Sequence, residues 1–164
     1  TGEDWSYLEY YADRYPYVCL GKIIPYTTNS DVIMPWLAKC FRIGNGKCVF
    51  HGLGVTNWKL MNSFPFYSVD SSSWGSGYRF GRVSLFDKNV GKMFSFSLND
   101  RKEIEKNRKL IERYGYKPTQ FYNADGSPVK GKHLAEISAL SYVNVQQYIT
   151  KRFGERTLQS NVYK

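Results

Sequence analysis

The strongest constraint on the fold is the alternation of short apolar segments with helical segments over residues 1–70. Apolar residues at helical spacing predict helices at 3–14, from a cap within 27–31 to 41, and from a cap at 56 or 57 to 64. The remaining segments are short and largely apolar, which predicts buried strands at 17–24, 47–55 and 66–70. Strands that alternate with helices form parallel sheets through right-handed crossovers. The order α-β-α-β-α-β therefore predicts a parallel sheet, either open or closed into a barrel.

The pattern changes after Asp70, where polar and turn residues become frequent. The elements predicted here are a polar loop at 71–77, one or two short strands within 78–97 around the hairpin turn signal at 87–91, a charged helix from a cap at 99 or 100 to 114, an exposed loop at 116–133 and a last helix at 141–153. We therefore expect two parts, a sheet-bearing part at 1–98 and a helical extension at 99–164.

Charge favours an anionic partner. The 164 residues include 23 Lys and Arg against 14 Asp and Glu, a formal net charge of +9. The basic residues are densest at 101–113 and 151–156, so we expect these segments to contact phosphates.

Cysteine spacing and hydropathy disfavour several other classes. The three cysteines include no CxxC pair, which argues against a disulfide scaffold and a Cys-rich zinc module. No apolar run approaches the ~20 residues of a membrane span, and the N-terminus lacks the basic and apolar regions of a signal peptide. We expect a soluble, cytoplasmic protein without membrane contact. Because the chain opens at Thr1, directly before a predicted helix, we also expect it to be part of a longer polypeptide.

Unusual residues lie at the carboxyl ends of all three predicted strands of the parallel sheet. The first strand carries Gly21 and Lys22, the second His51, Gly52 and Gly54, and the third Asp70. Ligands of parallel α/β folds bind at the carboxyl ends of the strands, and glycines there let a planar ligand approach the backbone. The pattern predicts a pocket at this edge, although glycines also end strands for reasons of turn geometry.

Three side chains near this edge are candidates for chemistry, each with a structural alternative. Asp70 can serve as nucleophile, base or metal ligand, or cap a following turn. His51 can stack on a ligand or hydrogen-bond at the barrel mouth, or be a satisfied buried histidine. Arg79 can reach a phosphate, or be an ordinary surface residue.

Other catalytic arrangements are missing from the sequence. It contains no P-loop, no GxGxxG and no Gly-x-Ser-x-Gly elbow. Cys48 and His51 lie an odd number of residues apart on one predicted strand, so their side chains point to opposite faces. Metal-ligand clusters are also missing, and we expect neither a metal nor a cofactor.

The ordered motifs resemble one enzyme family. Over residues 15–97 the chain presents Leu20-Gly21, then His51-Gly52-Leu53-Gly54, then Val69-Asp70 and Arg79-Phe80-Gly81. This order is similar to the second half of the (β/α)8 barrel of the tRNA-guanine transglycosylase family, with its Leu-Gly-Gly, Met-Gly-Val-Gly and Phe-Asp strand ends and an Arg-Asn-Gly turn. The chain departs from the family at Lys22, which replaces a glycine, at His51, which replaces a methionine, and at Ser76, which replaces an arginine. The Cys-rich zinc site of the family is missing.

The resemblance implies a role for each site residue. Asp70 would be the nucleophile that attacks C1′ of the nucleotide, displaces guanine and forms a covalent glycosyl ester. Gly21, Lys22, Gly52 and Gly54 would line the base site, with backbone donors at Gly21 and its neighbours, and His51 would lie against the base. Arg79 would hold a phosphate of the nucleic acid backbone.

The resemblance also sets expectations for architecture and partners. Residues 15–97 would form consecutive βα units of a TIM-type barrel, followed by a helical extension, so the fold class expected is α/β with half a barrel. The missing half would come from the same precursor, a second chain or a homodimer mate. Loss of the zinc site is similar to divergent, often phage-borne, relatives that place 7-deazaguanines in DNA, so we expect DNA ahead of tRNA as the nucleic acid, with a 7-deazaguanine base. The alternative is a non-catalytic module that binds nucleic acid or protein and keeps the barrel only as a scaffold.

Overall fold

The computed structural model describes residues 4–23, 29–70, 72, 80–129, 132–155 and 158. The chain divides into two compact units, Thr1–Ser71 with Phe153–Lys164, and Ser72–Arg152. The division falls near Ser71, whereas the sequence pattern grouped 1–98 together. Arg79 and Ser76 lie outside the described residues.

The first unit has the predicted order of helices and strands. Its elements are α1 (Trp5–Arg14), β1 (Tyr17–Leu20), α2 (Ser30–Gly44), β2 (Val49–Gly52), α3 (Trp58–Ser63) and β3 (Ser68–Val69). Asp4 and Asn57 cap α1 and α3, because their side chains accept hydrogen bonds from backbone N–H groups of the first helical turn. The strands are shorter than predicted, since the backbone takes positive φ at Lys22 and at Gly54, just beyond the ends of β1 and β2.

The three strands form one parallel sheet in the order β1-β2-β3. Tyr17 pairs with Val49, and His51 pairs with Ser68. One face of the sheet packs into the apolar core, where Phe50 is buried and its ring meets that of Phe41 edge to face. The α/β class and the parallel sheet are confirmed for this unit.

Residues 82–97 do not continue the parallel sheet. They form an antiparallel hairpin of β4 (Arg82–Asp87) and β5 (Lys92–Ser97), which confirms the hairpin predicted around 87–91. The expectation of consecutive βα units up to residue 97 is therefore wrong for this segment. The physical reason is that Val83, Leu85 and Phe96 bury their side chains with the helices that follow. The described strands do not close into a barrel.

The second unit packs helices against this hairpin. They are α4 (Arg101–Lys106), α5 (Arg108–Arg113), a 3-10 helix (Pro118–Phe121) and α6 (Lys132–Phe153). The predicted helix at 99–114 is divided at Asn107, whose side-chain amide donates to the carbonyl of Glu103. Among the described helices, none combines the length and the apolar character needed to cross a membrane.

The predicted exposed loop at 116–133 is wrong in its central part. Phe121 is completely buried in the core of the second unit, and Tyr122 forms an isolated bridge with Pro128. The last helix begins at Lys132 rather than Ser141, because Leu134 and Ile137 lie one helical turn apart and are both buried. A few apolar side chains thus order a segment whose turn residues predicted a loop.

Candidate active site

The candidate site lies where the three parallel strands end. Gly21 follows β1, Leu53 and Gly54 follow β2, and Asp70 follows β3. Backbone hydrogen bonds join these ends, because the N–H of Leu53 donates to Leu20 and the N–H of Asp70 donates to Gly52, over 3.0 and 3.3 Å. The structure therefore brings the strand-end residues to one edge of the sheet.

Asp70 is an accessible charged group at this edge. Its Oδ1 accepts the backbone N–H of Gly54 over 2.8 Å and lies 3.5 Å from Nε2 of His51. Its side chain is 61% exposed. The carboxylate is thus tied to the neighbouring strand end while most of it faces solvent, a position in which it can contact a ligand.

His51 is held on both sides of its ring. Its Nδ1 lies 2.7 Å from Oγ of Ser68, which in turn lies 2.8 Å from the phenol oxygen of Tyr17. The ring of Tyr17 also packs beside that of Tyr67. Tyr17 and Ser68 were not among the residues selected from the sequence. The sequence pattern that could have identified Tyr17 is the two-residue period of a strand. This period places Tyr17 on the same face as Cys19, the register partner of His51.

The glycines at this edge differ in how the structure would tolerate a side chain in their place. A Cβ on Gly52 would lie 2.9 Å from Cγ2 of Val55 and 3.0 Å from a ring carbon of Phe66, so close packing on the core side requires the glycine. Gly54 has φ +73°, which its turn requires. A Cβ on Gly21 would meet only the end of the Leu53 side chain, at 3.3 Å.

Lys22 adopts a conformation that favours glycine. Its φ is +61°, in the left-handed region, where a non-glycine residue is uncommon. A glycine adopts this backbone geometry readily, and here a lysine occupies it.

The cysteines differ in their fitness as nucleophiles. Burial raises the pKa of Cys40 to about 12 and that of Cys48 to about 11, so both thiols resist ionisation. Cys19 is exposed and is the register partner of His51. Within the described ranges, His, Cys, Asp and Glu side chains form no group of three or more that could hold a metal ion.

Several cations of the basic segment at 101–113 are engaged within the second unit. Arg108 bonds Glu105 over 2.6 Å, Arg113 bonds Asp87, and Arg101 stacks on the ring of Tyr122. None of these described contacts involves the three exposed lysines of the same helices, which are Lys102, Lys106 and Lys109. Lys102 and Lys106 lie one turn apart in α4, and Lys109 lies in α5, beyond the break at Asn107.

No family model, curated protein or solved structure matches the chain. The candidate site is therefore interpreted from its own geometry and from the motifs at its strand ends.

Proposed function

We propose that the first unit is part of a TIM-type barrel that exchanges guanine for a 7-deazaguanine in a polynucleotide, with DNA ahead of tRNA as substrate. Asp70 attacks C1′ of the target nucleotide, the C1′–N9 bond breaks, and guanine leaves with the bonding electron pair and takes up a proton. N9 of the incoming 7-deazaguanine, losing its own proton, then attacks C1′ and releases the Asp70 carboxylate. The sum of the two steps replaces one base by another without a cofactor.

The observation that carries this proposal is the accessible carboxylate at the carboxyl edge of three adjacent parallel strands. Ligands of parallel α/β folds bind at this edge. Asp70 is anchored through Oδ1 to Gly54, so the carboxylate has a defined orientation, and 61% of the side chain is open to a reacting partner. This carboxylate accepts a hydrogen bond from the backbone of a residue 16 positions earlier, at the end of another strand.

The unpaired edges of the sheet favour the proposal that it belongs to a larger barrel. In the described part of the chain, β1 and β3 each pair on one side only, with β2 between them. Parallel sheets are rarely left with an open face, and this one presents Tyr17, Cys19 and Asp70 to solvent. We propose that a second barrel half, from the same precursor, another chain or a homodimer mate, covers this face and completes the base site.

The nucleic acid partner follows from charge and from the exposed cations. The net charge of +9 favours a polyanion, and Lys102, Lys106 and Lys109 are available for phosphate contacts. Arg79, the further phosphate ligand of the proposal, stands nine positions after Asp70 in the sequence.

The deciding experiment compares Asp70→Asn with the wild type in the complete enzyme, purified as its full-length gene product. Base exchange is measured as incorporation of labelled 7-deazaguanine, and the intermediate as a denaturation-resistant protein–nucleic acid adduct. We expect Asp70→Asn to lose both while it keeps its fold and its affinity for the polynucleotide. Asp13→Asn is the matched control, because Asp13 pairs with Lys47 away from the site. Unchanged exchange in Asp70→Asn would remove this residue from the mechanism, and binding without any exchange in the wild type would favour the non-catalytic module.

A further inference from the structure

A row of polar side chains crosses the face of the parallel sheet opposite the buried Phe50. Residues paired in register on parallel strands point to the same side, and the register pairs Cys19 with His51 and His51 with Ser68. Tyr17, two residues before Cys19, shares that side. The His51 side chain is only 15% exposed, so solvent competes weakly for its ring nitrogens.

The contacts in this row run without a gap from Tyr17 to Asp70. The phenol oxygen of Tyr17 lies 2.8 Å from Oγ of Ser68, and Oγ of Ser68 lies 2.7 Å from Nδ1 of His51. Both distances are those of good hydrogen bonds. Nε2 of His51 lies 3.5 Å from Oδ1 of Asp70, an electrostatic contact longer than a usual N–H···O hydrogen bond.

We propose that Tyr17 and Ser68 form a hydrogen-bonded relay that keeps a hydrogen on Nε2 of His51, so that the imidazole orients the Asp70 carboxylate. The role given to Asp70 rests on the proposed function, whereas the state of the His51 ring does not. In this relay the Tyr17 hydroxyl donates to Ser68, and the Ser68 hydroxyl donates to Nδ1. Nε2 then carries the hydrogen and faces Oδ1.

The reverse direction is disfavoured by the carboxylate. If Nδ1 of a neutral His51 donated to Ser68, and Ser68 to Tyr17, then Nε2 would turn a lone pair toward Oδ1. An ionised carboxylate has only acceptor oxygens, so two acceptors would face each other in a half-buried place. A doubly protonated ring also carries a hydrogen on Nε2. Both favourable states of the ring therefore present the same donor to Asp70.

The relay determines which oxygen of Asp70 reacts. Among the described residues, the two groups that contact the carboxylate, the N–H of Gly54 and Nε2 of His51, both approach Oδ1. The hydrogen bond from Gly54 and the electrostatic contact with His51 both act on Oδ1, which leaves Oδ2 as the attacking atom. His51, Ser68 and Tyr17 are thus positioning residues, because they act through Asp70.

The test is the tautomer of His51, observed by proton–nitrogen correlation spectroscopy on the 15N-labelled chain at about pH 8.5, where an unperturbed imidazole is neutral. The chain has only two histidines, so His133→Gln assigns the signals. We expect His51 to be almost entirely in the Nε2–H form, beyond the proportion in an unstructured histidine peptide. A dominant Nδ1–H form, or the proportion of the peptide, would overturn the relay.

Variants of the relay sharpen this test. Ser68→Ala removes the donor to Nδ1, and Tyr17→Phe removes one hydroxyl while it keeps the ring. We expect both to shift the His51 tautomer toward that of the peptide, Ser68→Ala more strongly, and Ser68→Thr to restore the wild-type spectrum. A spectrum of His51 that is unchanged in Ser68→Ala and Tyr17→Phe would contradict the proposal.

Activity of the complete enzyme separates the two proposals. We expect Ser68→Ala to lower kcat for base exchange about tenfold with little change in KM, and Ser68→Thr to recover it. If the tautomer behaves as expected but Asp70→Asn still exchanges bases, the proposed function fails and the relay stands. If Asp70→Asn abolishes base exchange while the His51 tautomer is unchanged in Ser68→Ala, the relay fails and the proposed function stands.

Discussion

Gly54 donates its backbone N–H to Oδ1 of Asp70 over 2.8 Å, which joins the ends of two neighbouring strands through a side chain. This contact depends on the left-handed conformation of Gly54, with φ +73°. A residue with a Cβ would be strained at this φ, and relief of the strain would turn the N–H away from the carboxylate. The position of Asp70 is therefore coupled to a turn as well as to β3.

Gly54→Ala tests this coupling. We expect it to lose about 1–2 kcal/mol of unfolding free energy from the left-handed backbone, and to lower base exchange further by releasing Asp70. Gly46→Ala is the matched control, because Gly46 has a similar φ of +74° and a Cβ added there would point into open space. Chemical denaturation and exchange assays measure the two effects. Equal exchange activity in both variants would contradict the coupling.

Gly21→Ala and Gly52→Ala separate binding from packing at the strand ends. A Cβ on Gly52 clashes with Val55 and Phe66, so we expect Gly52→Ala to lose about 1–3 kcal/mol of unfolding free energy. A Cβ on Gly21 meets only the flexible end of Leu53, so the loss in Gly21→Ala is expected to stay below about 0.5 kcal/mol. Under the proposed function Gly21→Ala raises KM for the 7-deazaguanine. Normal KM in a stable Gly21→Ala variant would show that the base does not approach this backbone.

The alternation of apolar and helical segments was sufficient to predict the α-β-α-β-α-β order. The spacing of the apolar residues that must be buried decides whether a segment forms a helix or a strand. This spacing is a local property of the sequence. The ends of the strands were not predictable to the residue, because they depend on turns such as the one at Lys22, where a lysine takes a conformation typical of glycine. Burial of Phe121 was missed because Pro118 precedes it and the turn residues at 123–126 follow it.

The candidate site was predictable only in part. Position at or just beyond the end of a strand was enough to select Gly21, His51 and Asp70, since parallel strands end at one edge. The contact of Tyr17 with Ser68 joins residues 51 positions apart and depends on the register of three strands. Register follows from packing of the whole sheet, which no local pattern contains.

Thiol labelling distinguishes the three cysteines. At pH 8 we expect iodoacetamide to modify Cys19 first, because Cys19 is exposed, whereas burial raises the pKa of Cys48 to about 11 and that of Cys40 to about 12. Mass spectrometry of peptides gives the rate at each site. Cys19→Ser is expected to remove the fast phase. Labelling of Cys40 at a similar rate in the native protein would show that the core of the first unit opens readily.

Ser141 connects α6 to the hairpin of the second unit. Its Oγ accepts the backbone N–H of Phe86 over 2.9 Å, and the side chain is fully buried. We expect Ser141→Ala to lose about 1–3 kcal/mol of unfolding free energy, because the buried hydrogen bond from the Phe86 N–H to Oγ is removed. Ser95→Ala is the control, since Ser95 is exposed and contacts Ser84 on the hairpin surface. We expect this variant to lose less than about 0.5 kcal/mol of unfolding free energy. Equal stability of the two variants in urea would mean that water replaces Ser141.

Adjacent cations of α5 provide a direct test of nucleic acid binding. Arg108 is already paired with Glu105, whereas Lys109 is exposed and makes no such contact among the described residues. If Lys109 binds a phosphate of duplex DNA, Lys109→Gln lowers the slope of log affinity against log salt by about 0.9, the contribution of one phosphate contact. Arg108→Gln removes the same formal charge but a smaller share of the slope, since its guanidinium must leave Glu105 to reach a phosphate. Salt titrations of the full chain with a labelled duplex measure both slopes. Equal slopes for the two variants and the wild type would exclude this helix from the interface and favour a ligand other than a polynucleotide for the second unit.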